Sequence, residues 1–198
     1  MRIKKIQQGY NVAAEHYNQT RSQFSNDIYL EKLHSLLAPR SRLLDIGCGA
    51  GKPIDSFFIE RGHKVHGVDL SEKMLELARK NVPKATYELK DMTELKFEDY
   101  QVDAVVSFYA IFHIPREKHF ELMKKFYSFL PKGGLLLITM GSDDWVGSEN
   151  DFHGAKMYWS QYDSKKNSEL VSQAGFTIVI DEIDHSGNEN HQVLLARK

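Results

Sequence analysis

Three stretches of this 198-residue chain run apolar with almost no alternation: Leu43-Leu44-Asp45-Ile46, Val102 to Phe108 and Leu135 to Thr139. A strand with one wet face alternates between apolar and polar residues, whereas a strand buried on both faces does not. Between these runs the apolar spacing switches to the helical period. Ile54, Phe57 and Phe58 share one helical face, as do Met74, Leu75 and Ala78, and as do Phe120, Met123, Phe126, Tyr127 and Leu130. Buried strands that alternate with amphipathic helices specify a parallel sheet with helices on both faces. Val65 to Asp69 and residues 85–90 supply two further strands, Pro53 suits a helix first turn, and Ser71 suits an N-cap. Upstream, Ile6, Tyr10, Ala13, Ala14 and Tyr17 mark one helix, and residues 26–37 mark another that stops before Pro39.

The C-terminal part reads differently. Residues 141–163 look like a long loop, followed by a helix at 164–174 that Gly175 closes. Phe176 to Ile183 and Gln192 to Ala196 are strands separated only by a polar turn, Asp184 to Asn190. So short a connection cannot make a parallel crossover, so these two strands should pair antiparallel. The expected fold is α/β: a seven-stranded, mostly parallel, doubly wound sheet whose last strand is reversed.

Composition narrows the function. With 26 basic and 27 acidic residues the net charge is −1, without the basic excess of a phosphate-gripping nucleic-acid binder. One cysteine, Cys48, excludes an internal disulfide and a cysteine-cluster zinc site. No apolar run approaches the roughly 20 residues of a membrane span, and Met1-Arg2-Ile3-Lys4-Lys5 opens no signal-peptide core. These features suit a cytoplasmic protein with neither nucleic-acid nor membrane partners, and they leave its oligomeric state open.

The segment with most chemistry is Asp45-Ile46-Gly47-Cys48-Gly49-Ala50-Gly51, between a strand and a helix. A phosphate-binding Gly-x-x-x-x-Gly-Lys-Ser/Thr loop fails, because Ile46 occupies the first glycine position and Pro53 follows Lys52. The dinucleotide fingerprint Gly-x-Gly-x-x-Gly is damaged, its third glycine being replaced by Lys52, which leaves an NAD(P)-dependent oxidoreductase as an alternative. An Asp-x-Gly-x-Gly-x-Gly pattern matches at every position, and an acid before such a loop suits a cationic ligand. Asp69 ends the next strand, 18 residues beyond Gly51, where a carboxylate can accept ribose hydroxyls.

Together with Val68-Asp69-Leu70-Ser71, Lys90-Asp91-Met92, Asp103 to Ile114 and Leu130-Pro131-Lys132-Gly133-Gly134, this loop resembles the ordered motifs of class I S-adenosylmethionine-dependent methyltransferases, over roughly residues 1–140. The small-molecule branch of ubiquinone and menaquinone biosynthesis-type enzymes is the most similar. The resemblance implies a Rossmann-like single domain, with residues 1–40 as a helical lid, 41–140 as the cofactor-binding core, and 141–198 as a substrate loop and C-terminal β-hairpin. It implies methyl transfer by in-line displacement to oxygen, nitrogen or sulfur, with S-adenosyl-L-methionine as cofactor. A non-catalytic cofactor-binding module is a further alternative.

By position, the resemblance puts Gly47, Gly49 and Gly51 around the methionine part of the cofactor, with Asp45 orienting it. Asp69 would bind the ribose, Leu70 would lie against adenine, and Asp91 and the Met92 amide would meet the adenine edge. Ser107 and Phe108 would border the transfer cavity, while Tyr17 and Arg21 would reach the cofactor carboxylate from the lid. His113 falls at a family histidine position and is the candidate base. Ser107-Phe108-Tyr109-Ala110 stands where amino-base enzymes carry Asn/Asp-Pro-Pro-Tyr/Phe, so those relatives are excluded. Acceptor choice is expected from Tyr10 and from the aromatic-rich segment with Trp145, His153, Tyr158 and Trp159, together with His191. His153 and His191 lack a third partner by pattern, so no metal is expected.

Overall fold

The structure, a computed structural model, describes residues 2–20, 26–186 and 190–198. Its helices are α1 (Arg2–Thr20), α2 (Asp27–Leu36), α3 (Ile54–Glu60), α4 (Glu72–Asn81), α5 (His119–Phe129) and α6 (Ser164–Gln173). Its strands are β1 (Arg42–Ile46), β2 (Lys64–Asp69), β3 (Thr86–Leu89), β4 (Ala104–Ser107), β5 (Leu135–Gly141), β6 (Trp145–Phe152), β7 (Ala155–Gln161), β8 (Thr177–Asp184) and β9 (His191–Arg197). Seven of them form one sheet in the order β3-β2-β1-β4-β5-β9-β8. Strands β1 to β5 pair parallel, and β9 runs antiparallel to both β5 and β8. The reversed strand is therefore slotted between β5 and β8, and β8 forms the edge.

Each central strand divides its side chains between two cores, which is why these strands show no wet face. Leu44, Ile46, Val105, Leu136, Ile138 and Leu194 pack with Leu122, Met123, Phe126 and Phe129 of α5 and Val171 of α6. Leu43, Ala104, Val106, Leu135, Leu137, Val193 and Leu195 pack with Leu30 and Leu33 of α2 and Phe58 of α3. The chain proceeds outward from β1 to β3 and then returns to place β4 on the other side of β1. That reversal opens a crevice at the carboxyl ends of β1 and β4, the usual ligand position in open α/β sheets.

Residues 141–163 depart from the expected loop. Most of them form the antiparallel pair β6–β7, joined by the two residues His153 and Gly154. Both have positive φ, 50° and 85°, the conformation of a tight hairpin turn matched to strand twist. Strand β6 is polar and largely exposed, so no apolar alternation announces it. The expected helix at 116–130 is likewise split, into a single 3-10 turn at Arg116–Lys118 and then α5.

His119, at the start of α5, is 1% exposed, and burial lowers its pKa from 6.5 to about 4. The folded chain thus refuses a proton that the unfolded chain accepts below pH 6.5. The contribution is intact above that pH and is lost as pH falls toward 4, by up to about 3 kcal/mol. Urea unfolding across pH 7.5 to 4.5 should therefore show wild type losing stability relative to His119→Gln as the pH drops; a pH-independent difference would refute this.

Candidate active site

The glycine loop is shaped by β2. The N–H groups of Gly47 and Cys48 both donate to the Val68 carbonyl, at 2.7 and 3.1 Å, and the Gly51 N–H donates to Cys48 O at 3.0 Å. The Gly49 N–H donates to Asp69 Oδ2 at 2.8 Å. Gly47, Gly49 and Gly51 all sit at positive φ, 80°, 53° and 76°. A Cβ at Gly47 would overlap the Ala110 methyl, whereas one at Gly49 would meet nothing within 4 Å and would project into open space. These four N–H groups are all bonded within the protein. A phosphate cradle, by contrast, turns such groups toward its ligand.

Above the loop lies a cavity of about 690 Å³. Gly47, Gly49, Asp69, Leu70, Asp91, Met92 and Phe108 line it, as does Lys90. Ile3, Ile6, Tyr10 and Tyr17 of α1 close it from above, and Tyr109, Ala110, His113 and Ile114 form the wall after β4. Asp69 is fixed from two sides, because its Oδ1 accepts from the Ser71 N–H at 2.8 Å while Oδ2 takes Gly49. Burial raises its pKa, and the Ser71, Gly49 and Leu70 N–H groups pull it back down. Asp91 Oδ1 accepts from the Thr93 N–H at 2.8 Å and so caps the following turn while also lining the cavity.

His113 is 5% exposed. Its Nδ1 lies 2.8 Å from the Tyr158 carbonyl oxygen, which can only accept, so Nδ1 carries the hydrogen. In the neutral ring Nε2 then holds a lone pair, and the Tyr10 hydroxyl, 2.6 Å away, donates to it. Residues 103 positions apart in sequence thus form one pair. The lid is pinned by polar bonds: Gln7 Nε2 donates to Leu70 O at 2.9 Å, and the Ser71 hydroxyl donates to Asn11 Oδ1 at 2.6 Å.

Several expected site residues lie elsewhere. Asp45 does not line the cavity: strand alternation sends it to the same side as Leu43, toward α3, where it faces Asp55. Burial raises the Asp55 carboxyl, which also faces the Tyr87 hydroxyl, so this pair holds a proton beneath the loop. Gly51 backs onto Tyr87 and Asp55 and not onto the cavity. Ser107 is wholly buried and donates to Ile46 O at 2.6 Å, tying the ends of β4 and β1 together from behind. Trp145 stacks obliquely on Trp159, whose ring lies 5.6 Å from His113. His153 meets His16 and Tyr17 at the hairpin tip. His191 packs against Tyr109 and Phe112. These residues support the wall without lining it, and Tyr158 contributes its carbonyl. Arg21 lies outside the described residues.

Tyr109 was not anticipated. It lines the cavity at φ 55°, a left-handed conformation uncommon for a bulky residue. Its N–H donates to Thr139 Oγ1 at 2.6 Å, and its hydroxyl accepts from Asn26 Nδ2 at 2.8 Å. Cys48 is buried, and burial with Asp55, Asp69 and Asp45 nearby pushes its thiol well above the ordinary range, which disqualifies it as a nucleophile. Among the described residues no group of three or more His, Cys, Asp or Glu side chains could hold a metal ion, and no helix is long and apolar enough to cross a membrane.

Residues 43–134 match a family model described as a methyltransferase domain. The chain is 30% identical to phosphoethanolamine N-methyltransferase 2 of Caenorhabditis elegans over 73% of its own length and 34% of that protein. It is 32% identical to the putative methyltransferase YqeM of Bacillus subtilis (strain 168), over 69% of its length and 56% of that protein. The chain thus spans about a third to just over half of these relatives. In fold it is similar to the 1,6-didemethyltoxoflavin-N1-methyltransferase of Burkholderia thailandensis, crystallised with S-adenosylhomocysteine, with a TM-score of 0.75, 19% identity and coverage of 98% of this chain and 88% of that one. Nothing among these matches supports the oxidoreductase alternative.

The two loop glycines separate fold from cavity. Gly47→Ala should cost more stability than Gly49→Ala by about 1–3 kcal/mol in urea unfolding, since both carry left-handed strain but only the first meets a packed neighbour. Equal losses would contradict this geometry.

Proposed function

Because the chain belongs to the class I S-adenosylmethionine-dependent methyltransferases, we propose that it transfers a methyl group from that cofactor to a small-molecule acceptor in the cavity beneath α1. The observation that carries this reading is the Asp69 carboxylate, clamped by two backbone N–H groups at the wall of a mostly apolar cavity. S-adenosylmethionine, when bound, supplies a methyl on a sulfonium, whose C–S bond breaks with its electron pair returning to sulfur as the acceptor's lone pair bonds the carbon.

The residues present fit that group. Gly49 leaves a cradle that a side chain would fill, and the acids Asp45, Asp55, Asp69 and Asp91 around the loop favour a cation. Asp69, oriented by Gly49 and Ser71, would take the ribose hydroxyls. Leu70 and Met92 would cover the adenine, with Asp91 at its edge. Tyr17 would close the methionine end, together with Arg21. Asp45 and Gly51 act indirectly, by shaping the loop from below, and Ser107 does so by fixing the end of β4.

His113 and Tyr10 would manage the acceptor's proton. An acceptor X–H at the Tyr10 hydroxyl can give its proton to that oxygen as Tyr10 passes its own to His113 Nε2, leaving a neutral phenol and an imidazolium. The Tyr158 carbonyl holds the ring in the required tautomer. Under the closed lid the reacting groups are aligned and shielded from water. The arrangement supports one methyltransferase domain with residues 1–40 as its lid, and a cytoplasmic setting suits the single buried thiol.

Calorimetric titration should show S-adenosylhomocysteine binding and no NAD binding, and the reverse would discard the reading. Asp69→Ala should weaken S-adenosylhomocysteine by about 10- to 100-fold, equivalent to the 1–3 kcal/mol of lost charge-assisted hydrogen bonds. Tyr10→Phe and His113→Gln should each lower kcat by roughly 10² or more while leaving S-adenosylhomocysteine affinity within about threefold. An unchanged kcat would remove the proton role.

A further inference from the structure

Resting on that reading, we infer that the acceptor is an uncharged, flat, ring-bearing molecule with an ionisable O–H or N–H, and that a phosphorylated amine is excluded. The wall nearest the Tyr10–His113 pair is aromatic and aliphatic: Tyr17, Phe108, Tyr109, Ala110 and Ile114. Flat rings meet such a surface with offset or edge-on contacts, as Tyr10 itself does with His113 and Tyr17. A hydroxyl or ring N–H on the acceptor would find its one polar partner in the Tyr10 oxygen.

The charge on the wall is wrong for a phosphate. Among the described lining residues the charged side chains are Asp69, Asp91 and Lys90. Lys90 is the one cation of the three, and it is already engaged: its Nζ lies 3.1 Å from Asp99 and 3.6 Å from Glu88. The N–H groups of Gly47, Cys48, Gly49 and Gly51 are turned into the protein and offer an anion nothing. Lys5 and Lys156 both approach the Tyr158 ring, at 5.9 and 5.7 Å from its centroid, but both are exposed and neither lines the cavity. A dianion entering this cavity would lose its water and meet two carboxylates, which is unfavourable without a paired cation. The proton pair points the same way. A relay from Tyr10 to His113 is needed only where the reacting atom starts protonated, as in a phenol or a ring N–H.

The test uses the whole chain with methyl-labelled S-adenosylmethionine and two probes at equal concentration, 2-naphthol and phosphoethanolamine. In parallel, each probe is titrated calorimetrically into the complex with S-adenosylhomocysteine. Naphthol should bind that complex and take label faster than phosphoethanolamine by at least about tenfold. Label entering phosphoethanolamine at a comparable or higher rate overturns the inference, as does a complex that binds neither probe while holding S-adenosylhomocysteine normally. A chain that fails to bind S-adenosylhomocysteine at all removes the methyltransferase reading itself, so the two failures are told apart.

Discussion

The turn from β1 into α3 has to satisfy its own backbone while leaving space above it, and the rest of the site follows from how it does so. Gly47, Gly49 and Gly51 adopt left-handed conformations that L side chains resist. This lets the loop curl so that its N–H groups reach the Val68 carbonyl, the Asp69 carboxylate and the Cys48 carbonyl. The donors are consumed below and to the side, so the upper surface is nearly featureless, defined by shape and by neighbouring acids. A loop of similar composition whose amides pointed outward would favour an anion. Asp69 links the two strands of the crevice: the same carboxylate that anchors the loop also faces the cavity.

The lid is bound differently from the core. Strands β1, β4, β5 and β9 are buried on both faces among Leu, Val and Ile side chains, but α1 is held over the cavity by a few polar bonds. Asn18 Oδ1 accepts from Asn81 Nδ2, which also donates to Ala50 O. Gly9 lets α1 approach β7 closely, since a Cβ there would press on the Met157 methyl. An element held by single hydrogen bonds and a narrow apolar stripe belongs to the low-stability end of a structure. That is what a cover over a ligand crevice requires.

The strand runs, the crossover helices and the reversed last strand were legible in the sequence because each carries its own periodicity. The hairpin β6–β7 was not. Trp145 to Phe152 is polar and exposed, and its only local mark is the His153-Gly154 turn. In the site, the glycine loop and Asp69 were legible because backbone conformation and strand position dictate them. Asp45 was misplaced, although its alternation with Leu43 already sends it toward α3. Trp159 and His191 show the converse: an aromatic cluster in sequence became packing behind the wall and not the wall itself. The positive φ of Tyr109 depends on Thr139 and Asn26, 30 and 83 residues away, and no local pattern encodes it.

The Tyr10–His113 pair is the clearest case of a site that exists only in the folded chain. Tyr10 comes from the lid, His113 from the turn after β4, and the carbonyl that sets its tautomer from Tyr158 of β7. None of these residues is distinctive alone, since a tyrosine on an amphipathic helix and a histidine at a helix start are ordinary. What gives them chemistry is that one carbonyl can only accept, which forces the hydrogen onto Nδ1 and leaves Nε2 to receive the phenol. The lid, the parallel sheet and the hairpin must therefore all be in place for a proton acceptor to be present, so closing the cavity and completing its polar pair are the same structural event.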